Sequence, residues 1–85
     1  MNKNYKSGAA REYRIMKKLE KEGWFCIRSA GSHSPIDIMA MRQNHLLGVL
    51  EIRFIQSKKT GYLTPQERME KEGLEQKLGI KIEVM

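Results

Sequence analysis

The chain has little of what usually stabilises a very small protein or fixes it in a membrane. It contains a single cysteine, Cys26, so no disulfide can form within its 85 residues. A lone thiol in a short apolar run indicates a packed side chain in a reducing compartment. No apolar run approaches the roughly 20 residues that span a bilayer, and the polar N-terminus does not resemble a signal peptide. We therefore expect a cytoplasmic protein with no membrane segment.

Acidic residues are also scarce relative to basic ones. Sixteen Lys and Arg face ten Asp and Glu, which gives a net charge of +6. Such an excess favours a polyanionic partner, above all nucleic acid, although a basic surface can also serve solubility alone. Phosphate contacts give affinity without sequence choice. The basic residues best placed for contacts with DNA phosphates are Lys3, Lys6, Arg11, Arg28, Lys58 and Lys59.

Apolar periodicity and turn signals predict one domain over residues 1–85 in the order α-β-β-β-α-β, after a flexible basic arm over residues 1–7. Ser7 is the predicted cap of the first helix. Thr64 as cap, Pro65 at the first helical position and Glu67 three residues after the cap predict the start of the second, with a capping box. A helix between the last two strands permits a right-handed parallel crossover, so we expect an α/β fold with a mixed sheet. The predicted elements are helix 8–22, strands 24–28, 36–41 and 46–55, helix 65–78 and strand 80–84.

Two carboxylates lie inside apolar strand-like runs, where acidic residues are rare without a partner. They are Asp37 and Glu51. A hairpin turn over residues 42–45 would allow both to stand on one face of the sheet. Glu12 falls within the apolar stripe of the first helix, where it is either a helix-edge partner of a basic residue or a third carboxylate of the same site. Oxygen ligands in this number favour a hard divalent cation.

A cation follows the second carboxylate at strand spacing. Arg53 shares the face of Glu51 and could orient a water or stabilise negative charge, but arginine does not act as a base. Lys58 and Lys59, in the following loop, are alternative cations for the site. Together with Mg²⁺, or with Mn²⁺ as a substitute, such a set suits phosphodiester hydrolysis.

The ordered set resembles a known signature. Pro35-Ile36-Asp37 followed by Glu51-Ile52-Arg53 is similar to the motif of PD-(D/E)XK nucleases, and the closest likeness is to the archaeal Holliday junction resolvases. The likeness extends from Gly8 to Val84. Further matches are the helix start Gly8-Ala9-Ala10-Arg11-Glu12, then Gly23-Trp24-Phe25, Arg28, Gly31-Ser32 and the helix start Thr64-Pro65-Gln66-Glu67.

The resemblance implies a small restriction-endonuclease-like fold and a Mg²⁺-dependent, structure-selective DNA endonuclease. It implies metal binding by Glu12, Asp37 and Glu51, and a role for Ser32 at the scissile phosphate. It also implies branched DNA as the substrate, a place in DNA recombination and repair, and a homodimer.

One departure from the family pattern supports an alternative. The family's third element is Glu-x-Lys, whereas the sequence here is Glu51-Ile52-Arg53. The alternative is a non-catalytic DNA-binding module on a degenerate nuclease scaffold, in which Arg53 neutralises Glu51. Metal dependence separates the two, because chelation would abolish cleavage but not simple binding. We interpret His33 as a solvated loop residue or phosphate contact rather than a metal ligand.

Overall fold

The computed structural model describes residues 3–29 and 34–85, with side chains of the first helix from Gly8 onward. Within these ranges the elements follow the predicted order α-β-β-β-α-β, so the predicted α/β class is confirmed. In chain order they are α1 (Lys3–Lys21), β1 (Phe25–Arg28), β2 (Ile38–Asn44), β3 (Val49–Gln56), α2 (Pro65–Leu78) and β4 (Ile82–Val84).

The strands form one mixed sheet in the order β1-β2-β3-β4. The first three are antiparallel neighbours. The last pair is parallel, because α2 carries the chain back to the starting end of the sheet before β4 begins. The prediction of a mixed sheet with a helical crossover is therefore confirmed.

The first helix starts earlier than the sequence indicates. It begins at Lys3 rather than at Gly8, so most of the arm predicted over residues 1–7 is helical and Ser7 is not the helix cap. The residues before Gly8 include no proline, and polar residues such as asparagine and serine lower helix stability only slightly. The assignment of the whole chain to one domain stays a prediction.

The core lies between α1 and one face of the sheet. Leu19 of α1 and the strand residues Ile38 and Ile55 are almost completely inaccessible to solvent. Ile38 and Ile55 are register partners, so their side chains meet on the same face. The buried apolar cluster consists of Leu19, Trp24, Cys26, Ile38, Ala40 and Ile55. Cys26 is thus a packed thiol, as predicted.

The second helix is well capped but shallowly packed. The Thr64 side chain accepts from the amide of Glu67, and the Glu67 side chain accepts from the amide of Thr64, which confirms the predicted capping box. Gly79 ends the helix in the left-handed conformation. The helix contains no fully buried residue, and its half-buried residues lie along one face, namely Glu67, Lys71, Leu74 and Glu75. Neither α2 nor any other helix in the described ranges is long and apolar enough to cross a membrane.

The hairpin turn between β2 and β3 differs from the prediction. It occupies residues 45–48 rather than 42–45. Asn44 stabilises it, since its Oδ1 accepts from the amides of Leu46 and Leu47 at 3.1 Å, and Gly48 adopts the positive φ that the last turn position needs. Arg42 therefore remains in β2.

Candidate active site

Asp37 lies one residue before β2, at the point where the ends of three strands meet. Its carbonyl oxygen accepts from the amide of Ser29 at 2.8 Å, and its amide donates to the carbonyl of Ile55 at 2.8 Å. Its carboxylate Oδ2 accepts from the amide of Ser57 at 2.8 Å. Backbone and side chain are therefore both fixed at the end of the strands, as a metal-binding or catalytic carboxylate requires.

A second carboxylate stands nearby on the first helix. Glu12 Oε1 accepts from Nε of Arg28 at 2.7 Å, and both side chains are only 15% exposed. Arg28 ends β1, and its guanidinium also lies 5.0 Å from the ring centre of Tyr13. Glu12 is thus paired with a basic residue, one of the two roles predicted for it, and it is also close enough to Asp37 for their charges to interact.

The pKa of Asp37 reports this environment. Burial raises the pKa of the carboxyl group above its usual value, and the negative charge of Glu12 raises it further. The hydrogen bond from the Ser57 amide and the positive charge of Arg28 act in the opposite direction. Desolvation and the negative charge of Glu12 therefore destabilise the ionised form of Asp37, and a bound cation would stabilise it.

The predicted meeting of Asp37 with Glu51 is wrong. Glu51 is the register partner of Arg42, five residues further along β2, and the two side chains approach to 3.6 Å. At about 3.3 Å per residue this places Glu51 roughly 16 Å from Asp37. The physical cause is the turn: moving it by three residues shifts the predicted partner of Asp37 by six, from Leu50 to Gln56.

Arg53 is likewise engaged elsewhere. Its Nε and Nη2 donate to the two carboxylate oxygens of Glu83 at 2.8 and 2.6 Å. Its guanidinium lies 5.1 Å from the ring centre of Trp24. The ion pair expected between Arg53 and Glu51 is therefore not formed, and the catalytic roles predicted for these two residues have no support from their positions.

Two residues beside Asp37 were not anticipated. Gln56 is 9% exposed, and within the described part of the chain neither its Oε1 nor the hydroxyl of Ser57 has a hydrogen-bond partner. Lys58, which the sequence offered as an alternative cation, follows directly and donates to Glu67 Oε2 at 2.6 Å. The sequence feature that could have revealed Gln56 is its place at the end of an apolar strand, where a buried polar residue calls for an explanation.

Oxygen atoms near Asp37 can bind a hard cation, although not through the predicted set of Glu12, Asp37 and Glu51. In residues 3–29 and 34–85, no three His, Cys, Asp or Glu side chains are grouped closely enough to hold a metal. Mg²⁺ commonly takes one or two carboxylates and completes its shell with water and phosphate oxygens. Asp37 suits such a site, together with Oε1 of Gln56, which has no hydrogen-bond partner among the described residues. Ser32 and His33 lie outside the described residues.

The residues predicted to contact DNA fall into different environments. Arg28 and Lys58 are ion-paired with acidic residues, and Arg11 is half-buried. Lys59 is exposed. The side chains of Lys3 and Lys6 lie outside the described ones, and the DNA contacts of all six residues stay predictions.

Comparison with known proteins complements this geometry. A family model described as archaeal Holliday junction resolvase matches residues 3–74, which include Glu12, Asp37 and all of β3. The chain belongs to this resolvase family. No curated protein and no solved structure matches it significantly. Membership of a resolvase family implies a nuclease whose substrate is a DNA junction, and the resemblance drawn from the sequence is confirmed.

Proposed function

We propose that the protein is a metal-dependent, structure-selective DNA endonuclease that hydrolyses phosphodiester bonds in branched DNA, as in a four-way junction. The position of Asp37 carries this proposal. Two hydrogen bonds of its backbone and one of its carboxylate fix Asp37 where three strands meet, with Glu12 and Arg28 beside it. Family membership supplies the substrate class.

Hydrolysis adds one water across a P–O bond. The water oxygen bonds to phosphorus, the bond to the leaving sugar oxygen breaks, and that oxygen takes up a proton. Mg²⁺ or Mn²⁺ would supply a water of lowered pKa and neutralise charge on the phosphate. Asp37 is the residue placed to hold the cation, and Arg28 holds the Glu12 carboxylate in place beside it.

The direct test is cleavage of labelled four-way junction, flap, duplex and single-stranded DNA with Mg²⁺ or Mn²⁺ and with chelator. We expect metal-dependent cutting of the junction in preference to the duplex. Asp37→Ala should lower the rate at least about 100-fold, because it removes the best-placed ligand. The control is Glu72→Gln, which removes an exposed acid on α2 and should cut at the wild-type rate.

A non-catalytic DNA-binding module is the second candidate. It is favoured by the ion pairs that neutralise Glu12 and Glu51, since paired carboxylates can serve structure alone. Intact DNA in every lane, together with junction binding that chelator leaves unchanged and salt weakens, would establish this candidate and exclude the nuclease.

We also propose a homodimer. The sheet face opposite α1 exposes large apolar side chains, among them Phe25, Ile27, Leu50 and Ile52. An apolar face of this extent is unusual on a monomer, and a chain of 85 residues gains core by covering it with a second copy. Light scattering on the wild-type protein should give about twice the chain mass of 9.9 kDa, and the single-chain mass would contradict the dimer.

A further inference from the structure

We propose that Gln56-Ser57-Lys58, and not Glu51-Ile52-Arg53, is the third element of the active site. In this assignment the amide oxygen of Gln56 is a metal ligand beside Asp37, and Lys58 is the cation that contacts the scissile phosphate. The inference rests on the proposed nuclease function and names residues of the same site.

The first support is the hydrogen bonding around Asp37. Its amide bonds the carbonyl of Ile55 and its carboxylate bonds the amide of Ser57. These two contacts bracket Gln56, so Gln56 is the β3 residue directly beside Asp37. The segment around Glu51 lies at the other end of the ladder, opposite Arg42.

The second support is the state of the Gln56 side chain. It is more than nine-tenths buried, and among the described residues its Oε1 has no hydrogen-bond partner. Buried amide oxygens without a partner are rare in proteins because their desolvation is not compensated. A hard cation held jointly with Asp37 would satisfy this oxygen.

The third support is the placement of Lys58. The amide of Met85 donates to the carbonyl of Gln56, and the amide of Lys58 donates to the carbonyl of Met85. The extended pairing with β4 therefore continues past the end of β3, and Gln56 and Lys58 point to the same side of it. The order of ligand and cation matches the family's Glu-x-Lys, with glutamine in place of glutamate.

The ion pair between Lys58 and Glu67 gives the cation a defined position. Lys58 Nζ lies 2.6 Å from Glu67 Oε2, while the other oxygen of Glu67 caps α2 through the amide of Thr64. Lys58 is thereby anchored to the start of α2. Unlike arginine, a lysine also offers a compact point charge and can exchange a proton.

Metal affinity tests the ligand without reference to cleavage. Titration with Mn²⁺ alone, followed by calorimetry and by paramagnetic broadening of the Ser57 amide signal, compares wild type with three variants. Gln56→Glu should tighten Mn²⁺ binding about tenfold, since a carboxylate replaces a neutral oxygen. Gln56→Met, which keeps the side-chain length but has no oxygen, should weaken binding at least fivefold. Glu51→Gln should leave it unchanged.

Cleavage tests the cation. Lys58→Met should lower the rate at least about 30-fold, whereas Arg53→Met should keep it within threefold. Because Lys58→Met also breaks the contact with Glu67, the matched control is Glu67→Gln, which removes that charge but keeps a residue able to form the capping box. Since Glu67→Gln keeps the lysine but loosens its anchor, its rate should fall clearly less than that of Lys58→Met; an equal loss in both variants would assign the effect to the contact with Glu67 and not to the cation.

The outcomes separate this assignment from the proposed function. If Asp37→Ala abolishes cleavage while Gln56→Met and Lys58→Met do not, the nuclease stands and the assignment is wrong. The same holds if Mn²⁺ affinity falls in Glu51→Gln and not in Gln56→Met. If the wild type cuts no DNA, the nuclease proposal fails, whereas Mn²⁺ binding that depends on Gln56 would still support its role as a ligand.

Discussion

Two tripeptides of the same kind serve different ends. Glu51-Ile52-Arg53 lies in the part of β3 from Val49 to Arg53, which we call its first half, and Gln56-Ser57-Lys58 begins at the last residue of β3 and continues past it. In the first half, Glu51 pairs with Arg42, and Arg53 pairs with Glu83. At the other end, Gln56 has a buried oxygen with no partner in the described part of the chain, next to Asp37. The first half pairs its charges within the fold; at the other end Lys58 is also paired, with Glu67, but the amide oxygen of Gln56 has no partner among the described residues. The position of each tripeptide in the sheet therefore indicates its role better than its similarity to the Glu-x-Lys motif does.

Arg53, the cation of the first half, stacks on an aromatic ring. The guanidinium groups of Arg42 and Arg53 lie 4.2 and 5.1 Å from the ring centre of Trp24. Planar guanidinium groups stack on indole and form bidentate pairs with carboxylates, which lysine cannot reproduce. An arginine at position 53 thus suits this packing.

Trp24→Ala is expected to have the largest effect on stability. Trp24 is 7% exposed and lies under the guanidinium groups of Arg42 and Arg53. Its removal should lower the free energy of unfolding by about 3–5 kcal/mol, the usual cost of deleting a buried aromatic side chain. The measurement is urea denaturation followed by circular dichroism.

The neighbouring residue provides the control. Phe25 is 65% exposed on the opposite face, and Phe25→Ala should cost less than about 1 kcal/mol, measured on the monomer at low concentration. Equal losses in the two variants would show that Trp24 does not organise the first half of β3.

The sequence predicts local features well and the sheet register poorly. The capping box at Thr64 and Glu67 depends on residues three apart, and the structure contains it as predicted. The turn depends on distant contacts: Arg42 donates to the carbonyl of Glu22 at 3.1 Å and lies over the ring of Trp24, which keeps a polar residue in the strand. Leu46, almost fully exposed, lies in the turn instead.

The displaced turn explains which residues of the site could be predicted from the sequence and which could not. Glu12 and Asp37 could be identified from their places on the first helix and before the second strand, because neither depends on the hairpin. The β3 residue beside Asp37 could not be identified in this way, since a turn displaced by three residues changes every pair of partners between β2 and β3. Gln56 is also an uncharged residue, which a search for carboxylates does not find.

Glu83→Gln is expected to have a smaller effect on stability, present at neutral pH and lost in acid. The hydrogen bonds and charge of Arg53 lower the pKa of Glu83 from its usual value of about 4.5. The pair therefore stabilises the fold fully above about pH 4.5, and this contribution disappears as the pH falls through the lowered pKa. Because both side chains are partly exposed, the contribution should be under about 1 kcal/mol.

The measurement is the difference in unfolding free energy between wild type and Glu83→Gln from pH 7 to pH 2. We expect the wild type to be more stable at pH 7 and the difference to shrink below pH 4.5. Glu72→Gln, an exposed acid of α2, serves as the control and should show no such change. A difference that grows on acidification would contradict the stabilising role of the Arg53 pair.

The smallest effect is expected from Glu51→Gln, and it tests the comparison most directly. The nearest nitrogen of Arg42 lies 3.6 Å from Glu51, and both side chains are about 40% exposed. Pairs of this kind contribute little, so we expect a stability change within about 0.5 kcal/mol and a junction cleavage rate within twofold of wild type. Arg42→Met provides the contrast and should destabilise more, because it also removes the stacking on Trp24. A Glu51→Gln protein that folds normally but no longer cuts DNA would assign the site to the first half of β3 after all.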